Sequence, residues 1–329
     1  MPFEFTELPT EVALEIIRLV ATPELQDDTC GSTACSRPYY ATSLCLASTS
    51  YTLRAATMPY LLRTVILHSK SDHAAFIHSI HQQQDFAENG SRLALDYAKL
   101  VRRLWSSGGW GPLVDEPLQS RLDYSALRQI MCAADSVGLT WDSLDILDGQ
   151  FRSLESGMSQ EWPGRRVTFA GSNPRWNPLT STEDGLNFLR QITHLTIWAD
   201  EDANEGGIYP SWVHRIPFAC MPNLTHFACP PASHQGGNQS SASIPTEIIV
   251  YTASCEDRGS DPLAVPGRGH SLGLRTHGTK VSLDLPAESN ESEDLIWESI
   301  YLQGADDDAW AKAEHKKGLK DGASKMRVT

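Results

Sequence analysis

The apolar positions recur at helical spacing near the start of the chain and at strand-like spacing further on. After Leu8-Pro9, the run Thr10 to Val20 places Val12, Ile16, Leu19 and Val20 on one stripe, widened by Ala13 and Ile17. Glu15 and Arg18 fall on the opposite side, so an amphipathic helix is predicted, with Thr10 as its N-cap. A polar insert rich in Asp, Thr, Ser and Cys follows over residues 22–40 and ends at Pro38-Tyr39-Tyr40. Ser43 to Met58 resumes a helical pattern through Leu44, Leu46, Leu53 and Ala56, and Pro59 breaks or restarts it.

From Thr64 the pattern alternates between short strands and helices. Strands are predicted at Thr64–Leu67, Lys99–Trp105, Ser143–Leu147, Arg166–Phe169, Thr193–Trp198, Leu224–Ala228 and Glu247–Tyr251. Helices are predicted at Asp72–Gln84, Tyr124–Ala134 and from Ser181 to about Gln191, with a short one between Pro210 and Pro217. Trp141 to Ile146 and Ile192 to Ile197 fit L-x-x-L-x-L, and Met221 to Phe227 fits its first half. Centred on Leu144, Thr168, Leu195, Leu224 and Ile249, the steps are 24, 27, 29 and 25 residues. That spacing lies in or near the roughly 20–29 residues of leucine-rich units, which must stack because one strand-plus-helix unit cannot bury its own apolar face. An ordinary α/β domain with evenly spaced strands fits the same positions. The predicted fold is mixed α/β: a small all-α module over residues 1–63, an irregular leucine-rich-repeat-like solenoid over 64–303, and a C-terminal helix and tail over 304–329. Long loops are predicted at 230–245 and 255–279, where Gly, Ser and Pro accumulate.

Composition narrows the function classes. A hydrophobic fraction of 40% over 329 residues can fill a sizeable core. A net charge of −14 without a basic stripe argues against a general phosphate-backbone binder, so no nucleic-acid partner is expected. No apolar run approaches the ~18–20 residues of a membrane span, and Met1 to Phe5 lacks a secretory signal pattern. A cytoplasmic or nuclear, non-secreted protein is therefore expected. The seven cysteines then read as reduced, mostly packing residues.

Catalytic motifs find little context. Gly269-His270-Ser271-Leu272-Gly273 is a literal G-x-S-x-G. The residues before it cannot form a buried strand, those after it do not start a helix, and just 56 residues remain for the rest of a triad. His73, His78 and His81 do not share one helix face as a metal site needs, and Cys30 with Cys35 has no second pair. No catalytic residue, cofactor or metal is predicted, and the chain reads as an interaction protein rather than an enzyme.

The N-terminal pattern resembles the F-box, the three-helix module that docks a protein onto the Skp-type adaptor of a cullin–RING ubiquitin ligase. The likeness is carried by Leu8-Pro9-Thr10-Glu11-Val12 with Ile16-Ile17, by Leu46 to Ser50 with Tyr51 where the family usually has Trp, and by Met58 to Val65. It covers roughly the first 70 residues, and a fainter likeness to fungal F-box-like proteins with a degenerate leucine-rich tail extends over the remainder. The resemblance implies adaptor binding through Leu8, Pro9, Val12, Ile16, Ile17, Leu46, Tyr51, Pro59 and Leu61. It further implies a substrate receptor for protein ubiquitination, with the repeat region holding an unknown client protein. The insert at 22–40 exceeds the family's usual short connection. A scaffold that no longer binds the adaptor is the alternative, and a serine hydrolase through Ser271 the remote one.

Overall fold

The computed structural model describes residues 9–21, 24–25, 38–107, 122–147, 165–171, 174–199, 211–230, 247–252, 279–282 and 301. Its architecture is mixed α/β, built on one sheet of eight strands. Three helices come first: α1 (Thr10–Ala21), α2 (Ala41–Thr49) and α3 (Tyr51–Leu61). The first begins one residue earlier than predicted, because Pro9, not Thr10, supplies the carbonyl that accepts the first helical bond, from Ala13 N–H at 3.0 Å. The single helix predicted over Ser43–Met58 is two. Ser50 is extended between them, and its hydroxyl accepts from Leu53 N–H at 3.2 Å, capping α3. Within the insert, β1 (Glu24–Leu25) pairs antiparallel with β2 (Pro38–Tyr39).

The sheet strands are β3 (Thr64–Leu67), β4 (Arg103–Ser106), β5 (Ser136–Thr140), β6 (Arg165–Ala170), β7 (Ile192–Trp198), β8 (His226–Cys229), β9 (Glu247–Thr252) and β10 (Thr279–Ser282). From β3 to β8 each strand lies parallel beside the one before it, with no reversal of order. The last two strands are antiparallel. Between them run α4 (Lys70–Glu88), α5 (Tyr97–Leu100), α6 (Arg128–Ala133), α7 (Asn177–Thr180) and α8 (Glu183–Arg190), with 3-10 turns at Tyr124–Leu127, Trp141–Leu147, Ser211–Arg215 and Phe218–Cys220.

Register divides the strands into two faces. Val65, Leu104, Val137, Val167, Leu195 and Phe227 stand side by side on successive strands. With Leu67, Leu139, Phe169 and Ile197 they form one core with Ile77 and Ile80 of α4, Ile130 and Met131 of α6, and Phe188 and Leu189 of α8. This face has the uninterrupted aliphatic and aromatic character of a parallel sheet under helices. The opposite face carries Trp105, Gly138, Thr168, Thr196 and Ala228 in one row, and all five are buried. An open concave sheet surface is therefore not what this face presents.

Several predicted elements move. Ser143–Leu147 is part of a 3-10 turn, and the strand lies just before it at Ser136–Thr140, closed off where the Thr140 and Ser143 hydroxyls meet at 2.8 Å. Leu144 is thus no strand centre, and the even steps counted from it do not describe the sheet. Lys99 and Leu100 end a helix before β4, β8 starts two residues later than predicted, and Thr279 opens a strand instead of ending a loop. The predicted C-terminal helix at 304–329 lies outside the described residues. No helix among the described residues is long and apolar enough to cross a membrane.

Candidate functional site

The three N-terminal helices pack with a narrow apolar seam. Ile17 and Ala21 of α1, Ala47 of α2, and Met58 with Leu62 at the end of α3 are buried. The Ser43 hydroxyl donates to Ala21 O at 3.1 Å and ties α2 to the last turn of α1. A helix of this length with a stripe as wide as Val12, Ala13, Ile16, Ile17, Leu19 and Val20 offers more apolar surface than two short neighbours can cover. The surplus faces outward. Val12 is 45% exposed, Ile16 37%, Leu19 57%, and on the neighbouring helices Leu44 and Tyr51 are each 53% exposed. Seven of the eight large apolar side chains exposed among the described residues lie on α1 to α3, Leu93 being the other.

Of the residues predicted to bind an adaptor, Pro9, Val12, Ile16, Tyr51 and Pro59 are exposed on these helices. Leu46 and Leu61 are half-buried, and Leu61 packs against the main core. Ile17 is buried in the seam, where it holds α1 in place rather than facing a partner. Leu8 lies outside the described residues. Leu14, Leu19, Val20 and Leu44 join the exposed set without having been singled out for it. Leu14 carried a signal, since an apolar residue off the main stripe of a short helix has nothing to pack on.

Polar groups frame this surface lightly. Arg18 donates to Glu15 through Nη2 at 2.5 Å and Nε at 2.8 Å. That hydrogen-bonded pairing holds the Glu15 carboxyl below its usual range, and both groups remain in solvent. Arg92 stands 5.9 Å from the Tyr51 ring centroid, a cation–π contact at the edge of the apolar patch.

A second cluster lies where α4 leaves β3. The Asp72 carboxylate accepts from the backbone N–H of His68 at 3.2 Å and of Ser69 at 3.0 Å, while the Ser69 hydroxyl accepts from Asp72 N–H, completing a capping box. Burial pushes the Asp72 carboxyl up, but the hydrogen bonds from Ser69 and His68 outweigh it and leave the group below its usual range. His73 is fully buried, with Nδ1 2.7 Å from Ser69 O and Nε2 3.0 Å from Ser106 Oγ. Burial pulls its pKa down, so the neutral ring is favoured, accepting from Ser106 while Nδ1–H donates to the carbonyl. With Ser106 itself buried, this pair joins α4 to β4 and offers no nucleophile to a substrate. His78 and His81 are exposed on the same helix, and no group of three metal-ligating side chains occurs among the described residues. Gly269 to Gly273, Cys30 and Cys35 fall outside them.

A comparison of the chain with protein-family models, with curated proteins and with solved structures found no match.

Proposed function

We propose that this chain is the substrate-recognition subunit of a Skp–cullin–F-box ubiquitin ligase. Its three-helix head docks on the Skp-type adaptor, and the repeat-like body holds a client protein. The observation that supports this most is the concentration of exposed apolar side chains on α1, α2 and the start of α3, where they form a surface suited to a partner's apolar groove. Val12, Ile16 and Tyr51 among them also carry the F-box resemblance, with Pro9 exposed at the start of α1 and Pro59 near the end of α3. In the body, strands added in one direction with helices against one face accord with a leucine-rich-like winding. The mechanism is proximity: a client held on the body sits at high effective concentration beside the ubiquitin-charged enzyme carried by the cullin. No catalytic group of the chain takes part.

A pull-down with purified Skp-type adaptor tests the reading. The full chain should be captured, and the Leu8→Ala, Pro9→Ala double variant should not. Capture that ignores both residues would overturn the head's assignment. The insert supports a second reading, because the β1–β2 pair stands between α1 and α2 and lengthens a connection that is short in the family. A scaffold whose adaptor docking is blocked by the insert would gain capture when residues 27–36 are deleted. An unchanged result would count against it.

A further inference from the structure

The parallel strands begin at one rim of the sheet, and arginines gather there. Arg63 precedes β3, Arg102 and Arg103 stand at the start of β4, Arg166 at the start of β6, and Arg190 ends α8 just before β7. Backbone hydrogen bonds hold these starts in line. The N–H groups of Arg102 and Arg103 donate to Arg63 O, Ser136 N–H to Arg102 O, and Arg166 N–H to Asp135 O. Thr193 Oγ1 donates to Arg165 O and Asn223 Nδ2 to Arg190 O, which carries the line on toward β8. Asp135 is the one acid among the described residues at the starts of β3 to β8. No stretch of sequence holds this group; the fold assembles it in a chain whose net charge is −14. At physiological salt, charges more than ~8 Å away are largely screened, so the rim sets its own local field.

The fold leaves much of this charge open. Arg63, Arg102 and Arg190 are exposed. Arg102 faces Asp135 at 3.8 Å, with the two side chains 50% and 66% exposed, so that pair holds Arg102 weakly. Arg63 enters no ion pair among the described residues. Arg190 donates to the neutral Asn187 Oδ1 at 3.0 Å. Arg103 is half-buried and donates through Nη2 to the Tyr301 carbonyl, so it supports the rim from behind. Guanidinium groups grip carboxylates through two parallel hydrogen bonds, which makes carboxylate the acceptor best suited to this rim. Neighbouring strands stand ~4.8 Å apart, so Arg63 and Arg102 are adjacent and Arg190 lies ~14 Å beyond Arg102, three strands on. An extended peptide rises ~3.3 Å per residue and covers that distance in about four residues.

We infer that the rim formed by Arg63, Arg102 and Arg190 is a docking site for an extended acidic segment of a partner protein. Two adjacent carboxylates of the segment meet Arg63 and Arg102, and a third, about four residues on, meets Arg190. That the partner is the client rests on the function proposed above. The site itself needs no adaptor, so docking of the head and docking at the rim can fail separately.

Fluorescence anisotropy of a labelled peptide mixed with the full chain at low salt tests this. The peptide carries two adjacent glutamates and a third about four residues later in a Gly/Ser background. It should bind the wild-type chain, and the same peptide with glutamine for each glutamate should bind about tenfold more weakly or worse. The Arg63→Gln, Arg190→Gln variant should lose about as much and keep its thermal transition, because both side chains are exposed. Arg175→Gln removes an exposed arginine paired with Asp142 at 3.2 Å, past the other ends of the strands, and should bind as the wild type does. Equal binding of the glutamine peptide, equal binding by the double variant, or no binding by the folded wild-type chain would overturn the inference. Tighter binding of a single-stranded oligonucleotide than of the peptide would overturn it as well, by making the rim a phosphate-backbone site.

Discussion

In the three-helix head, large apolar side chains such as Leu19, Leu44 and Tyr51 face solvent, whereas in the sheet even Thr168 and Thr196 are withdrawn from it. Both regions start from comparably apolar sequence. The difference is what each element has to pack against. An inner strand of the parallel sheet has a neighbour on either side, helices on one face, and a second face that is also buried. Among the described residues α1 packs chiefly on two short helices, where Ile17 and Ala21 are buried and most of its stripe is not. The head is thus held by few buried groups, of which Ala47, Met58 and Leu62 join the body's core, and it keeps much of its remaining apolar surface exposed.

Substitutions should separate the regions sharply. Phe169, fully buried between Trp141 at 4.6 Å and Phe188 at 6.5 Å, is the strongest case. Phe169→Ala should cost ~3–5 kcal/mol of stability by chemical denaturation, the range for emptying an aromatic core site. Gly185→Ala in α8 comes next, since its Cβ would stand 2.3 Å from Leu179 O, a backbone atom that cannot simply turn away. A loss of ~1–3 kcal/mol, the range for overpacking, is expected in the same assay. In the head, Ser50→Ala removes the α3 cap and should cost ~1 kcal/mol. Leu19→Ser, on the exposed stripe, should move stability by no more than ~0.5 kcal/mol. A large loss from Leu19→Ser would mean that the stripe is packed and would erase the contrast.

Acidity probes the body through His73. Its folded pKa lies below the unfolded value of about 6.5, so the unfolded chain binds the proton first. Its contribution is fully present above that value and is lost as pH falls through it toward the folded pKa. Denaturation midpoints should therefore decline on acidification from pH 7, and His73→Gln should flatten the decline.

Much of this organisation was legible where local chemistry and final packing agree. Thr64–Leu67 and Ile192–Trp198 are β-branched and apolar, and both are strands. The stripe on α1 was equally plain, although its outward exposure depends on how little α2 and α3 can cover. Ser136–Thr140 was missed because Ser-Val-Gly-Leu-Thr has no distinctive pattern; its burial comes from neighbours on both faces. Trp141 to Ile146 imitates a strand motif, but the chain has already left the sheet at Thr140. The meeting of Arg103 with Tyr301 joins residues 198 positions apart, beyond the reach of any local period.

Calorimetric titration of a purified Skp-type adaptor into the full chain tests the central claim most directly, with a Val12→Asp, Ile16→Asp variant beside it. Each apolar side chain fully buried on docking is worth ~1.5–3 kcal/mol, so losing two predicts an affinity drop of about 100-fold or more. The thermal midpoint should stay where it is, because both side chains already face solvent. Equal binding by the two proteins, or no binding by a folded wild-type chain, would contradict the account.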